Sequence, residues 1–352
     1  MQYKLLEILR CPVTKSKLTL KIIKEVQQTF DEAIITTIEE GVLFAENDWF
    51  YPIIEGIPRL CVEAFIDYKV FLKMHLSNFE EKVKTIKTEN EGFLNYVIQK
   101  NKRTKESFTK EWAVYNYEKD KTWNADEAQM FNRFLLETNE TTISLQNKIV
   151  FDAGCGNGKL NCLLGKKNIT NIGMDFSDSI IVANKHNTSQ NVHFIQGDVQ
   201  FPPMAFDYFD IIHCSGVLIH TNNTELSFSC ITPLLKPGGK MSVFLYHSRK
   251  NFIHNLFNKI RKVTSKLPLS FQYYLYLFTL FPISYLIKKM KGNPQNAREM
   301  MVDILDWFTP EFRSEHTHNE VAAWFYKRAF TQISITTSDM FGFNTIAIKN
   351  TN

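Results

Sequence analysis

Close cysteine pairs are missing from this chain of 352 residues: Cys11, Cys61, Cys155, Cys162, Cys214 and Cys230 stand apart, with no C-x-x-C spacing among them. That scatter offers no disulfide framework, and it fits reduced thiols in a cytoplasmic protein. An excess of one charge is missing as well. The formal net charge is +4, which for this length marks no nucleic-acid-binding surface. Glu7 interrupts the apolar opening Met1–Arg10, so no signal peptide is expected. Long apolar runs are scarce. The stretch 267–287 has the length of a membrane span, but Pro268, Gln272 and Pro282 break it. Glycine is absent from Phe93 to Ala153, and residues 67–139 are charged and helix-compatible.

Where glycine returns, it returns in a pattern. An apolar strand, Lys148-Ile-Val-Phe, runs into Asp152, then Gly154, Gly156 and Gly158, then a helix-like run from Lys159 to Leu164. Glycines so spaced let the backbone turn tightly and approach a ligand at a helix N-terminus. The third glycine falls one residue earlier than in the dinucleotide fingerprint, which argues against an NAD-dependent dehydrogenase. An acid two residues before the first glycine suits a ligand with a free amino group better than a pyrophosphate.

The following segments read outward from this loop. Ile169–Met174 ends at Asp175, placed to accept hydrogen bonds from a ribose diol. Val192–Ile195 leads to Gln196-Gly197-Asp198-Val199, where an acid can meet an adenine amino group and Val199 with Phe176 can sandwich the ring. Asp207–Val217 is a buried-type strand opening into a small-residue loop, and Pro237-Gly238-Gly239 turns into a fifth strand, Lys240–Tyr246. Helix-like segments separate the strands, which predicts a parallel sheet with the ligand beyond the carboxyl ends.

Asp-Ala-Gly-Cys-Gly-Asn-Gly, Gly-Met-Asp-Phe-Ser, Gln-Gly-Asp-Val, Phe-Asp-Ile-Ile-His-Cys-Ser-Gly-Val-Leu-Ile-His and Leu-Leu-Lys-Pro-Gly-Gly occur in this order. Together they resemble the class I S-adenosylmethionine-dependent methyltransferases, in the small-molecule branch called methyltransferase type 11. The resemblance covers roughly residues 145–247. It implies an α/β fold with a Rossmann-like, seven-stranded, mostly parallel sheet and an antiparallel C-terminal edge. It also implies S-adenosylmethionine as cofactor, with Asp152 and Gly154 at the methionine end, Asp175 on the ribose, and Asp198 with Val199 on the adenine. Ser215 and Gly216 would line the sulfonium side, and Cys155, Gly156, Asn157, Gly158, Phe176 and Ser177 complete the cofactor set.

Residues 1–65 read as a small β-rich module. The opening Leu-x-Cys-Pro and the closing Tyr-Pro-Ile-x-x-Gly-Ile-Pro-x-Leu resemble the zinc-ribbon activator subunit of tRNA and ribosomal methyltransferases. Relatives that bind zinc use two C-x-x-C pairs. Here Thr14 stands at the second ligand position and Phe44–Trp49 contains no cysteine, so no metal is expected. The module should rest instead on Trp49, Phe50, Tyr51, Ile53 and Ile57, and serve as a scaffold in preference to handling RNA.

Residues 66–140 form a helical bridge, and 141–352 the methyltransferase domain with a helical lid inserted at about 247–318. In the bridge, the lysine runs 82–87 and 99–105 read as solvated helix faces. Trp112, Tyr115 and Trp123 have aromatic, core-like spacing, and by the resemblance Trp112 and Tyr115 cover the site. In the lid, basic runs (Arg249, Lys250, Lys259–Lys266, Lys288–Lys291) flank the apolar stretch. This reads as lid helices over a hydrophobic acceptor, with peripheral contact at the inner membrane surface as the second reading. Asn319 or Thr317 should cap a helix burying Val321, Trp324 and Phe325. His316 and His318 are candidates for acceptor contact.

The inferred chemistry is direct methyl displacement onto a small-molecule or lipid-linked acceptor. His220, at the end of Ser-Gly-Val-Leu-Ile-His, and Tyr246 are the candidate catalytic residues. A cofactor-binding scaffold without catalysis and an RNA-directed methyltransferase are the alternatives.

Overall fold

The computed structural model describes every residue except 32, 122–124, 250, 251 and 352. Trp123 and Lys250, both singled out in the sequence, lie outside the described residues. The chain opens with a four-stranded antiparallel sheet, β1 (Thr19–Phe30), β2 (Ala33–Phe44), β3 (Phe50–Ile54) and β4 (Ile57–Pro58), in that spatial order. Trp49, Phe50, Tyr51, Ile53 and Ile57 are all buried. The Trp49 ring lies parallel to Tyr51 at 6.4 Å and meets Phe65 edge-on at 6.1 Å. Cys11 is buried beneath them, its Sγ 3.3 Å from the Tyr51 hydroxyl and accepting the Thr14 N–H at 3.4 Å.

Two short helices, α1 (Ala64–Asp67) and α2 (Lys69–His75), lead into α3 (Phe79–Val114), which bends at Asn90 (φ −128°, ψ 23°). Its first part buries Phe79, Val83 and Ile86 in the core shared with the small sheet. Its second part runs past the large sheet, turning Lys100, Asn101, Thr104, Phe108, Glu111 and Trp112 to one cavity. These residues recur every three or four positions and so share one helix face. The solvated reading of 99–105 is therefore corrected. The Lys100 side chain is only 8% exposed and grips Asp198, while Lys105 pairs with Asp67. Composition supplies the charge but not the distant carboxylate that draws Lys100 inward.

Helix α4 (Glu127–Thr138) follows, capped by Asp126 and Gln129 reciprocally. Then strands and helices alternate: β5 (Ile149–Ala153), α5 (Lys159–Lys166), β6 (Thr170–Asp175), α6 (Ser179–Lys185), β7 (Val192–Gln196), β8 (Phe209–Ser215), α7 (Thr224–Ile231) and β9 (Leu235–Tyr246). The lid after β9 comprises α8 (Phe252–Thr264), α9 (Leu269–Phe278), α10 (Leu280–Met290) and α11 (Ala297–Phe308). The apolar stretch 267–287 breaks at Thr279 into α9 and α10, and no helix among the described residues is long and apolar enough to cross a membrane. The chain closes with α12 (His318–Tyr326), β10 (Phe330–Ser338) and β11 (Gly342–Lys349). Thr317, not Asn319, caps α12, exchanging hydrogen bonds with Glu320, and Val321, Trp324 and Phe325 are buried as expected.

The large sheet has the order β10-β11-β9-β8-β5-β6-β7. The five strands from β9 to β7 are parallel, while at one edge β11 runs antiparallel to both of its neighbours, β9 and β10. This is the Rossmann-like, seven-stranded, mostly parallel sheet with an antiparallel C-terminal edge. The strand order reverses between β5 and β8, and ligands of such sheets bind in the crevice at that switch point.

The small sheet docks on the opposite edge. Arg59 bridges Gln196 in parallel, the Leu60 N–H donates to the Gln196 carbonyl (2.8 Å), and Leu9 pairs with Met204. Leu5, Trp49, Phe50 and Phe65 join one continuous apolar cluster with Phe151, Met174 and Ile195 of the large sheet. Because the core is shared, urea unfolding should show a single transition. Trp49→Ala, which empties a fully buried site, should lower the unfolding free energy by about 3–5 kcal/mol. A separate early transition that alone responds to this substitution would show that the small sheet unfolds by itself.

Candidate active site

At the end of β5 the backbone turns on Gly154, Gly156 and Gly158, all at positive φ (89°, 55° and 70°). A Cβ on Gly156 would lie 2.3 Å from the Trp112 ring, and one on Gly158 would strike Ala183 at 2.5 Å and Phe194 at 2.7 Å. Glycine thus serves two ends here: the close approach of Trp112 to the loop, and the close packing of α5 on the sheet.

Asp175, ending β6, reaches back to this loop. Its Oδ2 accepts the Gly156 N–H (2.8 Å), and its Oδ1 accepts both the N–H (2.8 Å) and the hydroxyl (2.7 Å) of Ser177. Burial raises its pKa while these bonds hold it down. On the next strand position Asp198 is fixed by Lys100 (2.9 Å) and Asn101 (3.2 Å) at Oδ2 and by the Gln200 N–H (2.8 Å) at Oδ1.

Asp152 is held differently. Its register partner on β8 is His213, whose Nδ1 lies 3.1 Å from Asp152 Oδ1 and whose Nε2 lies 2.8 Å from Glu137 Oε2 of α4. Burial opposes a charge on this imidazole, but the two carboxylates outweigh it and raise its pKa to about 9. His213 is therefore an imidazolium at neutral pH, clamped between two acids.

All three aspartates open on one cavity of about 1060 Å³. Gly154, Cys155, Gly156, Asn157, Phe176, Val199, Ser215 and Gly216 line it too, as do Trp112, His220 and Tyr246. Gly158 and Ser177 stand behind the lining, the first under α5 and the second bracing Asp175. The far half lies under the lid, against Phe257, Leu280, Ile283, Ile287, Trp307 and Phe308.

Three further sequence candidates do not reach the cavity either. Tyr115 sits past the end of α3, its ring 5.3 Å from that of Trp112. The His316 Nδ1 pairs with Glu320 (3.0 Å), its ring packs on Trp324, and its N–H donates to the Tyr246 carbonyl (2.9 Å). His318 packs edge-on to Phe343 at 4.2 Å. Both histidines tie α12 to the sheet, so the acceptor-contact reading of this pair gives way to a packing one.

In the lid half, the His220 Nδ1–H donates to the Phe312 carbonyl (3.2 Å), which leaves Nε2 with a bare lone pair and no hydrogen-bond partner. That nitrogen lies 3.6 Å from Asp306 Oδ1. Burial lowers the His220 pKa to about 3, and Arg313 and Arg261 add to the effect. The Tyr246 hydroxyl donates to Asp306 Oδ2 (3.0 Å). Burial pushes the Asp306 carboxyl up to about 6. Glu111 is buried with both carboxyl oxygens unpartnered. The sequence reading missed Lys100, Glu111, Glu137, His213 and Asp306. The signals were present only in part: Glu111 precedes Trp112, and His213 is an ionisable residue between Ile212 and Cys214 in a buried-type strand.

Residues 151–243 match the methyltransferase domain family. Among curated proteins the chain is similar to the ubiquinone biosynthesis O-methyltransferase of Coxiella burnetii, 33% identical over 126 residues, which is 35% of this chain and 53% of that protein. It is also similar to the mitochondrial enzyme of the same name from Rattus norvegicus, 28% identical over 103 residues, 27% of this chain and 29% of that one. The chain thus spans about half the length, or less, of these relatives. Among solved structures, magnesium protoporphyrin IX methyltransferase from Synechocystis PCC 6803 overlays with a TM-score of 0.41 at 13% identity, over 71% of this chain and 98% of that one. The Burkholderia thailandensis 1,6-didemethyltoxoflavin-N1-methyltransferase gives 0.38 at 14%, over 64% and 80%. With the family match resting on the glycine loop and the strands around it, residues 151–243 are a methyltransferase domain of the S-adenosylmethionine-dependent class.

Proposed function

We propose that this chain transfers a methyl group from S-adenosylmethionine to a small-molecule or lipid-linked acceptor by direct displacement. One observation carries the reading: Asp152, Asp175 and Asp198 open on a single cavity that continues beneath an apolar lid. The residues present suit such a cofactor. Gly216 sits at φ 74° with open space where a Cβ would point, so backbone borders the cavity there without a side chain. Asp152, Gly154 and residues 155–157 would hold the methionine end, Asp175 and Phe176 the ribose, and Asp198 with Val199 the adenine. Ser215 and Gly216 would flank the transferred methyl.

The bound donor supplies an electrophilic methyl group; the chain supplies position and a dry surround. Holding donor and acceptor in line at near-contact distance accounts for most of the acceleration available to such a reaction. Lid side chains exclude water. His220 Nε2, a bare acceptor, is suited to orient an acceptor hydroxyl, and Tyr246 to fix Asp306 beside it. The name of the curated relatives supports oxygen as the methylated atom. Calorimetric titration should show S-adenosylmethionine binding, and Asp175→Ala should weaken it by about 10–100-fold, the worth of hydrogen bonds to a charged group. Unchanged affinity in that variant would remove Asp175 from the site.

A lipid-linked acceptor is supported by the lid surface. Helix α10 buries no residue, and Phe278, Ile283, Leu286 and Met290 are exposed beside Lys288, Lys289 and Lys291. Ile283 and Ile287 belong both to this exposed face and to the cavity lining, so an apolar tail could pass from a membrane surface into the site. The protein should float with anionic liposomes at low salt and be released as salt rises. Failure to co-migrate with them at low salt would leave only a soluble acceptor.

The clamp on Asp152 gives a pH signature. The folded-state pKa of His213, about 9, exceeds its ordinary 6.5. Its contribution to stability is therefore complete below pH 6.5 and lost as pH rises through about 9. The melting temperature should fall across this window, and His213→Gln should lack that slope while starting lower. Parallel curves for the two proteins would refute the charged clamp.

A further inference from the structure

Eight acids line the cavity among the described residues, and seven of them have partners. His213 serves Asp152 and Glu137, backbone and Ser177 donors serve Asp175, Lys100 serves Asp198, Lys288 serves Asp303, Tyr246 serves Asp306, and two backbone N–H groups serve Asp339. Glu111 has none. It is 1% exposed, and neither carboxyl oxygen makes a hydrogen bond. A carboxylate so placed would be a bare buried charge, so the free protein holds Glu111 protonated. Burial is the main cause, with Asp306 and Asp303 on α11 and Asp175 at the end of β6 adding to it. Among the described residues no cation faces it closely enough to reverse this. Lys100, on the same helix, is spent on Asp198, Lys288 on Asp303, and Arg313 on Glu315.

The position of Glu111 is fixed by its neighbours on α3. Trp112 lies against Gly156 of the cofactor loop. One turn earlier, the Phe108 ring lies 5.2 Å from the ring of His220 in the lid half. Glu111 stands between these contacts, on the helix face that lines the cavity, at the junction of its two halves. His220 is poorly suited to receive a proton, since burial and the nearby arginines disfavour its imidazolium.

We propose that Glu111 is the proton acceptor of methyl transfer, held neutral until the cationic methyl donor binds and ionised by that binding. This rests on the methyl-transfer reading above. With the donor bound, Glu111 gives its proton to solvent and stands as a carboxylate against the positive sulfonium. In the transfer it takes the proton from the acceptor O–H or N–H. The electron pair of that oxygen or nitrogen forms the bond to the methyl carbon, and the carbon–sulfur pair returns to sulfur as a neutral thioether. One positive and one negative charge are consumed together, so the buried site ends neutral and Glu111 is again an uncharged acid. A partnerless acid is what such a cycle requires, because a resident cation would hold it ionised in the product state.

The test needs no acceptor. Titration calorimetry at neutral pH in buffers of different ionisation enthalpy reads protons released on binding, here with S-adenosylmethionine and with S-adenosylhomocysteine. The two ligands carry the same titratable groups and differ in the sulfonium charge. The wild-type protein should release about one proton more with the first than with the second. Glu111→Gln, a near-isosteric change, should abolish that difference and cut the preference for the charged ligand on the order of tenfold. Equal release with both ligands in the wild type, which needs no variant, overturns the proposal while leaving donor binding intact. An undiminished difference in Glu111→Gln overturns it equally. If neither ligand binds, the methyl-donor reading itself falls, and this proposal with it.

Discussion

Buried negative charge must be met, and the way it is met organises this molecule. The crevice beyond the parallel strands collects carboxylates at the ends of β5, β6 and beyond β7, and each is answered by a different device. Backbone amides of the glycine loop and of Ser177 answer Asp175. A helix from outside the sheet, α3, brings Lys100 to Asp198. A histidine from the neighbouring strand answers Asp152 and passes the load to Glu137 on α4. Each device also positions an element, so the electrostatics of the crevice and the packing around it are one arrangement. Remove Lys100 and α3 keeps only the Asn101 amide on Asp198; remove His213 and two acids face each other across a buried gap.

The parts of the fold legible in the sequence were those governed by local pattern. The glycine loop announced a tight turn, and the apolar runs ending in Asp175 and Gln196 announced strand ends. The order of those acids around a cavity followed from chain order alone. What could not be read was direction. The lysines of 99–105 look alike in composition, yet Lys100 points inward and Lys102 does not, because only the former lies on the face that meets Asp198. His316 and His318 looked like site residues because they sit in a loop near the expected mouth. Helix capping by Thr317 turns them instead toward Trp324, Glu320 and Phe343. Glu111 and His213 gave only a partial signal, since a single charged residue in a core-like segment is informative only once its neighbours are known.

The small N-terminal sheet shares its apolar core with the large one instead of standing on a tether. Its buried aromatic residues Trp49, Phe50, Tyr51 and Phe65 pack together, with the Tyr51 hydroxyl 3.3 Å from the Cys11 Sγ. Apolar packing against a neighbouring sheet is a sufficient source of stability for so small a unit, which alone could not bury enough surface.

The same docking has a consequence for solubility. An open parallel sheet ends in strands whose free N–H and C=O groups invite pairing with another chain. At one end the segment after β4 lies along β7 through the Arg59–Gln196 bridge, which hides that margin. At the other end β10 carries register shifts and a left-handed Gln332 (φ 51°), irregularities that spoil it as a template. Each margin of the sheet is thus blunted by its own means, one covered and one buckled, and neither presents a straight ladder on which a fibril or a swapped strand could grow.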